Sequence, residues 1–461
     1  MLPEEILLEI FSFYMCSVEK NHKWKTLVHV CRRWRSIAFA SPCHLNLRLV
    51  CTGRTPVSEM FDIWPALPIV VQVNGISDKI NDNVLAALEK HDRICEVRVI
   101  VNHASAGDVK KLAGAMQVTF PALADLYIHS LEDTASLPES FLGGSAPNLR
   151  SLYLMRVAFP ALPKLLSSSP GLVRLCLSEI PHSGYISSDA IVDCLSSLTR
   201  LEFLQIDFQS SQPHPDRASR RQPPPIPTLL PVLDTLLLEG VVTEYLDQIL
   251  AHIEAPLLDQ LYIKFFDPPI FDIPRITQCI GRTETFKEFD QACMSFRDVD
   301  FHVVLSSQNA NNGQMLTLSL VWDGSSWKLR ELALDFYGHL FEPFDFCDSE
   351  GDLRPGWAES TGNGPWLHLV CCFTATKYMY LTQGLAVRVA PALQELTGER
   401  VTEVLPILRT IFVQRLDSLG PVEEALRQFV ATRLRLSGHA IDVQCWAREE
   451  RTNDQDVDDR L

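Results

Sequence analysis

Several signals are missing from this chain, and each absence closes a class of function. No apolar run reaches the eighteen or more residues of a membrane-spanning helix. The N-terminus is apolar but acidic, without the basic flank of a secretory signal. Positive charge is in deficit: 41 basic against 57 acidic side chains leave a net charge of −16, so phosphate backbones and anionic leaflets exert no general attraction. There is no G-x-S-x-G elbow, no H-E-x-x-H helix and no G-x-x-x-x-G-K-[ST] phosphate loop. Gly362-Asn363-Gly364 supplies two glycines of a dinucleotide loop without the third. The 13 cysteines include no C-x-x-C pair, and Cys371 and Cys372 are adjacent, which fits neither a zinc site nor a disulfide framework. Cys31 and Cys95 fall in apolar-patterned positions, where a thiol is expected to act as a small buried hydrophobe. The expected compartment is reducing, cytoplasm or nucleus, with no metal, no cofactor, no nucleic acid and no membrane as partner.

What is present is a folded composition, 46% hydrophobic and 21% charged over 461 residues, long enough for two or three domains. The first forty-five residues hold two helical patterns. Pro3 suits the opening position of a helix, and Glu4 and Glu5 place negative charge at the favourable end of its dipole. Ile6, Leu7, Ile10, Phe11 and Tyr14 share one face at helical spacing. Leu27, Val30, Cys31, Trp34, Ile37 and Ala38 form a second such face, with Arg32, Arg33 and Arg35 opposite. Helices this short cannot bury a core alone and are expected to pack against something else.

The segment L-P-x-E-I-L-x-x-I-F, a spacer, then L-x-x-V-C-R-x-W-R-x-I-A resembles the F-box, a three-helix module spanning residues 1–45. The resemblance implies docking onto the Skp-type adaptor of a cullin–RING ubiquitin ligase. The motif's apolar or proline positions are Leu2, Pro3, Ile6, Ile10, Leu27, Val30, Cys31, Trp34 and Ile37, which are the implied adaptor contacts. Where the family often has a tryptophan after Ser41-Pro42, this chain has Cys43-His44-Leu45. The motif opens at residue 2, which leaves room for a natural chain that begins earlier. Read without the resemblance, the same residues are a helical hairpin that caps the next domain.

Beyond Pro42 a phrase L-x-x-L-x-L recurs, with any aliphatic allowed. Clear copies begin at Leu123, Leu149, Leu172, Leu201, Leu233 and Leu258, separated by 26, 23, 29, 32 and 25 residues. Fainter copies begin at Ile94, Leu329 and Leu408. The alternation places the last two aliphatics of each phrase in one layer and the residue between them on the other face. Helices are expected between phrases, at residues 161–168 and at 189–198, the latter capped by Asp189. A unit of this size covers its apolar face only by stacking on its neighbours. Phrase and period resemble the leucine-rich repeat. The standard repeat's Asn or Cys is replaced here by Leu131, Val157, Ile180, Gln209, Val241 and Phe266, so an irregular version is expected, like the divergent repeats of many fungal F-box proteins. The fold class is therefore α/β: an N-terminal helical module, then a curved parallel sheet over residues 46–440. An ordinary α/β domain with parallel strands is the alternative.

Three stretches interrupt the repeats. Residues 210–227 are proline-rich, with Arg217, Arg220 and Arg221, and read as an exposed insertion or a linear motif. Residues 267–274 and 336–365 read as loops, and the charged tail at 445–461 as disordered. On the strand face between the leucines stand Tyr127, Tyr153, Cys176, Gln205, Leu237 and Tyr262, followed two residues on by His129, Met155, Ser178, Asp207, Glu239 and Lys264. Tyr127, Tyr153, Tyr262, His129 and Met155 are the substrate-binding candidates, because rigid rings with polar tips favour interfaces. Strand propensity alone also recruits tyrosine.

The expected function is a non-catalytic substrate receptor of an SCF-type ligase, with no catalytic residue and an unidentified protein substrate. The rivals are a repeat scaffold without ligase function, and an enzyme whose site lies in residues 265–440. Deleting Arg448 to Leu461 should leave the melting temperature unchanged, since a tail this poor in apolar residues buries little. Truncation at Gly398 removes the phrase at Leu408 and should give aggregated protein on size-exclusion chromatography, since a terminal repeat caps the apolar layer before it.

Overall fold

The recurring phrases are parallel strands. A computed structural model describes residues 2–16, 24–42, 44–74, 80–101, 107–131, 135–209, 227–265, 283, 291–296, 300–306, 315–321, 345–348, 378–381, 383–396, 400–414 and 420–446. It divides into two compact units, Met1–Gly240 with Glu244–Pro256, and Val241–Thr243 with Leu257–Leu461. The N-terminal helices thus belong to the same unit as the first repeats.

In the first unit, helices α1 (Glu4–Cys16), α2 (Trp24–Val30) and α3 (Arg32–Ala40) precede an alternation of strands and helices. This runs β1 (Leu49–Cys51), α4 (Val57–Ile63), β2 (Ile69–Asn74), α5 (Asp82–Leu88), β3 (Ile94–Val101), α6 (Asp108–Ala115) and β4 (Asp125–Ser130). It continues β5 (Ser151–Met155), α7 (Leu162–Ser167), β6 (Arg174–Ile180), α8 (Ser188–Leu195), β7 (Phe203–Phe208), β8 (Thr228–Leu229), β9 (Thr235–Val241), α9 (Thr243–His252) and β10 (Ile253–Glu254). The main strands pair in the order β1-β2-β3-β4-β5-β6-β7-β9, each pair parallel, while β8 and β10 form a short parallel pair of their own. This is a parallel sheet of repeating strands and helices, as in a repeat solenoid.

Register follows the leucines. Val97, Leu126, Leu152, Leu175, Leu204 and Leu236 are successive partners across the sheet. All three aliphatic positions of all six clear phrases are buried, none more than 3% exposed. Each such side chain contributes about 1.5–3 kcal/mol on leaving water, so the ladder is the core. Where the standard repeat carries Asn or Cys, Val157, Ile180 and Val241 are buried instead and extend the apolar layer.

Strands β1 and β2 have no L-x-x-L-x-L signature. Leu47-x-Leu49-x-Cys51 and Ile69-x-Val71-x-Val73 supply the same buried row, but the register with β3 shifts between Ile69 and Val70, where one residue is missing from the phrase. Helix α8 starts differently from the sequence expectation: Ser187 is the cap, its hydroxyl accepting from the Ala190 N–H at 3.2 Å, and Asp189 lies in the first turn. A short serine hydroxyl at the position just outside the helix reaches the free N–H groups, and the carboxylate one turn in serves the dipole. Cys31 is likewise a correction. It is exposed, and its Sγ accepts from the Trp34 N–H at 3.4 Å as the cap of α3.

The second unit contains β11 (Gln260–Phe265), β12 (Gln291–Phe296), β13 (Asp300–Ser306), β14 (Met315–Val321), β15 (Asp345–Asp348), β16 (Tyr378–Leu381), α10 (Gln383–Gln394), α11 (Arg400–Glu403), β17 (Thr410–Gln414), α12 (Gly420–Ser437) and β18 (Asp442–Trp446). Its strand order is β11-β14-β13-β12-β15-β16-β17-β18. Here β12, β13 and β14 form an antiparallel meander set among otherwise parallel pairs, a departure from the all-parallel expectation. Residues 345–348 also differ from the expected loop: β15 pairs with β12, where ladder hydrogen bonds outweigh the poor strand propensity of Asp345 and Asp348. The phrase at Leu408 is strand β17, with Ile411 and Val413 buried. The phrase at Leu329 and the stretches 210–226, 267–274 and 447–461 lie outside the described residues.

One buried cation organises the end of this unit. Arg433 on α12 is 2% exposed and donates to four backbone carbonyls, including Val404 O at 2.7 Å, Leu405 O at 3.0 Å and Pro406 O at 2.8 Å. They lie at and just beyond the end of α11, where a helix leaves carbonyls without intrahelical donors, and Leu405 O also accepts from the Leu408 N–H at 3.1 Å. Gly438, at φ 72°, then stops α12, its N–H bonding to Leu434 O at 2.9 Å. Arg433→Met fills the space but removes the guanidinium donor from all four carbonyls. It should cost at least about 3 kcal/mol, read as an earlier transition in urea denaturation, since each lost charge-assisted bond is worth about 1.5–3 kcal/mol.

Candidate functional site

Two surfaces of the first unit carry all the candidate residues but Tyr262. The first is the helical module. Helix α1 splits its apolar side chains between two directions: Leu7 (4%) and Phe11 (0%) point inward, whereas Leu2 (51%), Ile6 (47%), Ile10 (45%) and Phe13 (79%) are exposed. Residues three, four and seven apart share a side of a helix, so Ile6, Ile10 and Phe13 make one stripe, and Leu2 is exposed just before the helix begins. Phe11 packs on Trp34 at 4.8 Å between ring centroids, and Arg33 donates to Leu2 O at 2.6 Å, which holds the start of α1 to α3.

The module is anchored to the repeats through Trp24, which is fully buried. Its Nε1–H donates to Arg48 O at 3.0 Å, and its ring meets Trp64, at the end of α4, edge-on at 5.0 Å. Phe39 and His29 approach the same Trp64 ring. Aromatic pairs of this kind add about 0.5–1.5 kcal/mol each beyond their area. The expectation that the short helices pack against a neighbour is met here.

Of the nine residues expected at the adaptor, Leu2, Pro3, Ile6, Ile10, Val30 and Cys31 are exposed and Trp34 is half-buried. Leu27 and Ile37 are each 5% exposed and belong to the core of the free chain. Phe13 was missed in the sequence. Its signal was its position, three residues beyond Ile10 and seven beyond Ile6, which extends the outer stripe rather than the inner one.

The second surface is the sheet face opposite the crossover helices. Across it Arg98, Tyr127, Tyr153, Cys176, Gln205 and Leu237 are register partners, in the expected order. Tyr127 and Tyr153 stack with centroids 4.3 Å apart and 9° between planes, and the Arg98 guanidinium lies 5.5 Å from the Tyr127 centroid. Burial pushes both phenols above their ordinary range, so they stay protonated. His129 and Met155 are paired in the next row, and burial holds the His129 imidazole below its usual value. Tyr262 stands in the second unit, on β11, opposite Thr317 of β14.

Beside the tyrosines the floor is polar and closed. The Cys176 thiol donates to Gln205 Oε1 at 3.0 Å, and the two residues are 6% and 8% exposed. Burial raises the thiol to about 12, which removes it as a nucleophile at neutral pH. Ser178 Oγ and the Glu179 N–H both donate to Asp207 Oδ2, at 3.2 and 3.0 Å. At the ends of β5 and within β6, Arg156 and Glu179 adopt left-handed backbone, φ 57° and 48°, and pair with each other at 3.5 Å. This face combines aromatic area, the bonded Cys176–Gln205 and Asp207 groups and paired charge with a buried His129 Nε2 that has no hydrogen-bond partner.

Comparison with known proteins agrees with the first surface. Residues 1–44 match the F-box-like family model. No curated protein matches the chain. No described helix is long and apolar enough to cross a membrane.

Proposed function

We propose that this F-box protein is the substrate-recognition subunit of an SCF-type cullin–RING ubiquitin ligase. F-box domains bind Skp-type adaptors, and such domains are typical of non-catalytic receptors. The observation that carries the reading is the outer stripe of α1. Ile6, Ile10 and Phe13 are large, apolar and exposed on a helix whose other side is already committed to the core, and Leu2 is exposed just before it. A stripe of that kind marks a partner surface, since monomeric proteins keep exposed apolar patches small.

The repeat face would then hold a protein substrate, with Tyr127 and Tyr153 as the aromatic centre and His129 and Met155 at its edge. Tyr262 is a separate candidate in the second unit. The chain's contribution is proximity: it raises the effective concentration of a substrate lysine near a conjugating enzyme carried by other subunits. The buried aromatic anchor at Trp24 supports this, because a module fixed to the first repeat limits how far substrate wanders. The site of action would be the cytoplasm or nucleus.

Two substitutions separate the surfaces. Ile10→Asp puts a charge into a desolvated contact, at a cost of at least several kcal/mol. Co-purification of the adaptor should collapse while the melting temperature holds, because Ile10 is exposed in the free chain. Retained adaptor binding would remove the F-box role. Tyr127→Ala with Tyr153→Ala should leave the adaptor bound and weaken substrate capture by at least about a hundredfold, since aromatic anchors are worth about 2 kcal/mol or more each. Proximity labelling, comparing the double variant with the parent, reads the outcome. An unchanged set of labelled partners would place the substrate elsewhere.

A further inference from the structure

A terminal strand leaves one row of backbone N–H and C=O groups without a ladder partner. In the first unit that row is met from outside the sheet. Leu49 N–H bonds on the β2 side, to Pro68 O at 2.8 Å, and the carbonyl of its neighbour Arg48 takes the Trp24 Nε1–H at 3.0 Å. The helical module therefore lies on the edge of β1. In the second unit the terminal strand is β18. It pairs with β17 along one edge, and among the described residues no strand pairs with the other.

The ladder to β17 identifies the groups on that outer edge. Asp442 N–H donates to Arg409 O at 2.9 Å, so Asp442, Gln444 and Trp446 turn their backbone groups toward β17. Val443 and Cys445 turn theirs outward, since neighbouring residues of a strand address opposite edges. Side chains from Asp442 to Cys445 are exposed on both faces of the strand, Val443 at 41%. Two more large apolar side chains, Leu434 and Leu436, are 48% and 47% exposed in the last turn of α12, the helix that leads into β18. Edge strands are commonly blunted by lysine, proline or a bulge. From Ile441 to Trp446 there is no lysine, arginine or proline, and Asp442 is the one charge.

We propose that the outer edge of β18 pairs with the same edge of a second copy of this chain, antiparallel and centred on Val443. A two-fold contact needs a patch complementary to itself, and this strand has one. Within one strand Gln444 Nε2 donates to Asp442 Oδ2 at 2.5 Å. Centring on Val443 sets Asp442 of each copy opposite Gln444 of the other, so the same amide–carboxylate bond is available twice across the axis. Val443 meets Val443, and their outward N–H and C=O groups exchange two ladder bonds. Parallel pairing would instead bring the two Asp442 carboxylates side by side, which is unfavourable. Five strand residues with Leu434, Leu436 and Val443 make a small contact, so dimerisation is expected at about micromolar concentration or above. The proposal depends on neither the adaptor nor the substrate reading.

The test is the molar mass of the full chain by sedimentation equilibrium across about 1–200 μM. Mass should rise from monomer to dimer and stop there, because pairing uses the free edge of each copy. Val443→Pro removes an N–H that points outward and keeps every bond to β17, so the variant should fold and dimerise at least about tenfold more weakly. Val443→Lys, a charge on the same edge, serves if the proline variant does not fold. Gln444→Lys should tighten the dimer and Gln444→Glu loosen it, each by about threefold, since residue 444 faces Asp442 of the other copy. Deleting Arg448 to Leu461 should leave the dimer in place.

A chain that stays monomeric at every concentration would overturn the proposal and leave the edge to some other strand. So would a dimer undiminished by both Val443 variants, a reversed order of the two Gln444 variants, or a mass that keeps growing past the dimer. A dimer lost with residues 448–461 would move the contact to the tail and overturn it as well.

Discussion

The lateral register of buried aliphatics is the constraint on which the first unit depends. Leu126, Leu152, Leu175, Leu204 and Leu236 stand side by side on successive strands, and none has cover except its neighbours and the helices beneath. A one-residue slip of any strand would send its leucines to the outer face and its polar residues into the core. The side-chain period of a strand therefore makes register all-or-none. The same constraint sets the outer face, because whatever stands between two buried leucines must point the other way. The Tyr127–Tyr153 stack is a direct consequence: two aromatic residues at equivalent positions of adjacent in-register strands arrive at stacking distance without further instruction.

The helical module depends on the sheet in turn. Helices α1 to α3 are too short to bury a core alone, and the deficit is made up by Trp24, Phe39 and Trp64 meeting over the first repeat. This arrangement frees one side of α1. Leu7 and Phe11 hold the module together with Trp34, and Ile6, Ile10 and Phe13 remain outside. The exposed side of α1 and the first repeats are thereby joined through packed rings, and both are found in one compact unit.

The outer face has a different economy. Its polar residues are turned on one another, from the Cys176–Gln205 pair to the Asp207 carboxylate that gathers Ser178 and the Glu179 N–H. Left-handed backbone at Arg156 and Glu179 costs about 1–3 kcal/mol per residue and is held by their mutual ion pair and by Asp207. Such strain on a sheet face, next to a ring stack, is consistent with a surface shaped for something other than stability.

Much of this was legible in the residues. The six phrases coincide with strands and their buried layer, and the first five with one outer column, because a strand's period of two is local and leaves its mark on every second position. The helical module was legible through a motif whose apolar positions recur at fixed spacing. Other features were not. Strands β1 and β2 escaped because one missing residue breaks the phrase while the burial pattern survives. The antiparallel meander β12–β14 and the strand β15 escaped because strand direction and pairing are settled by partners distant in the chain. Sequence periodicity marked Leu27, Ile37, Ile6 and Ile10 alike as apolar. Only the tertiary structure separated those that face the core from those left outside, since burial depends on which neighbour arrives: Trp34 for α1, and for α2 and α3 Trp64, at the end of the first repeat helix.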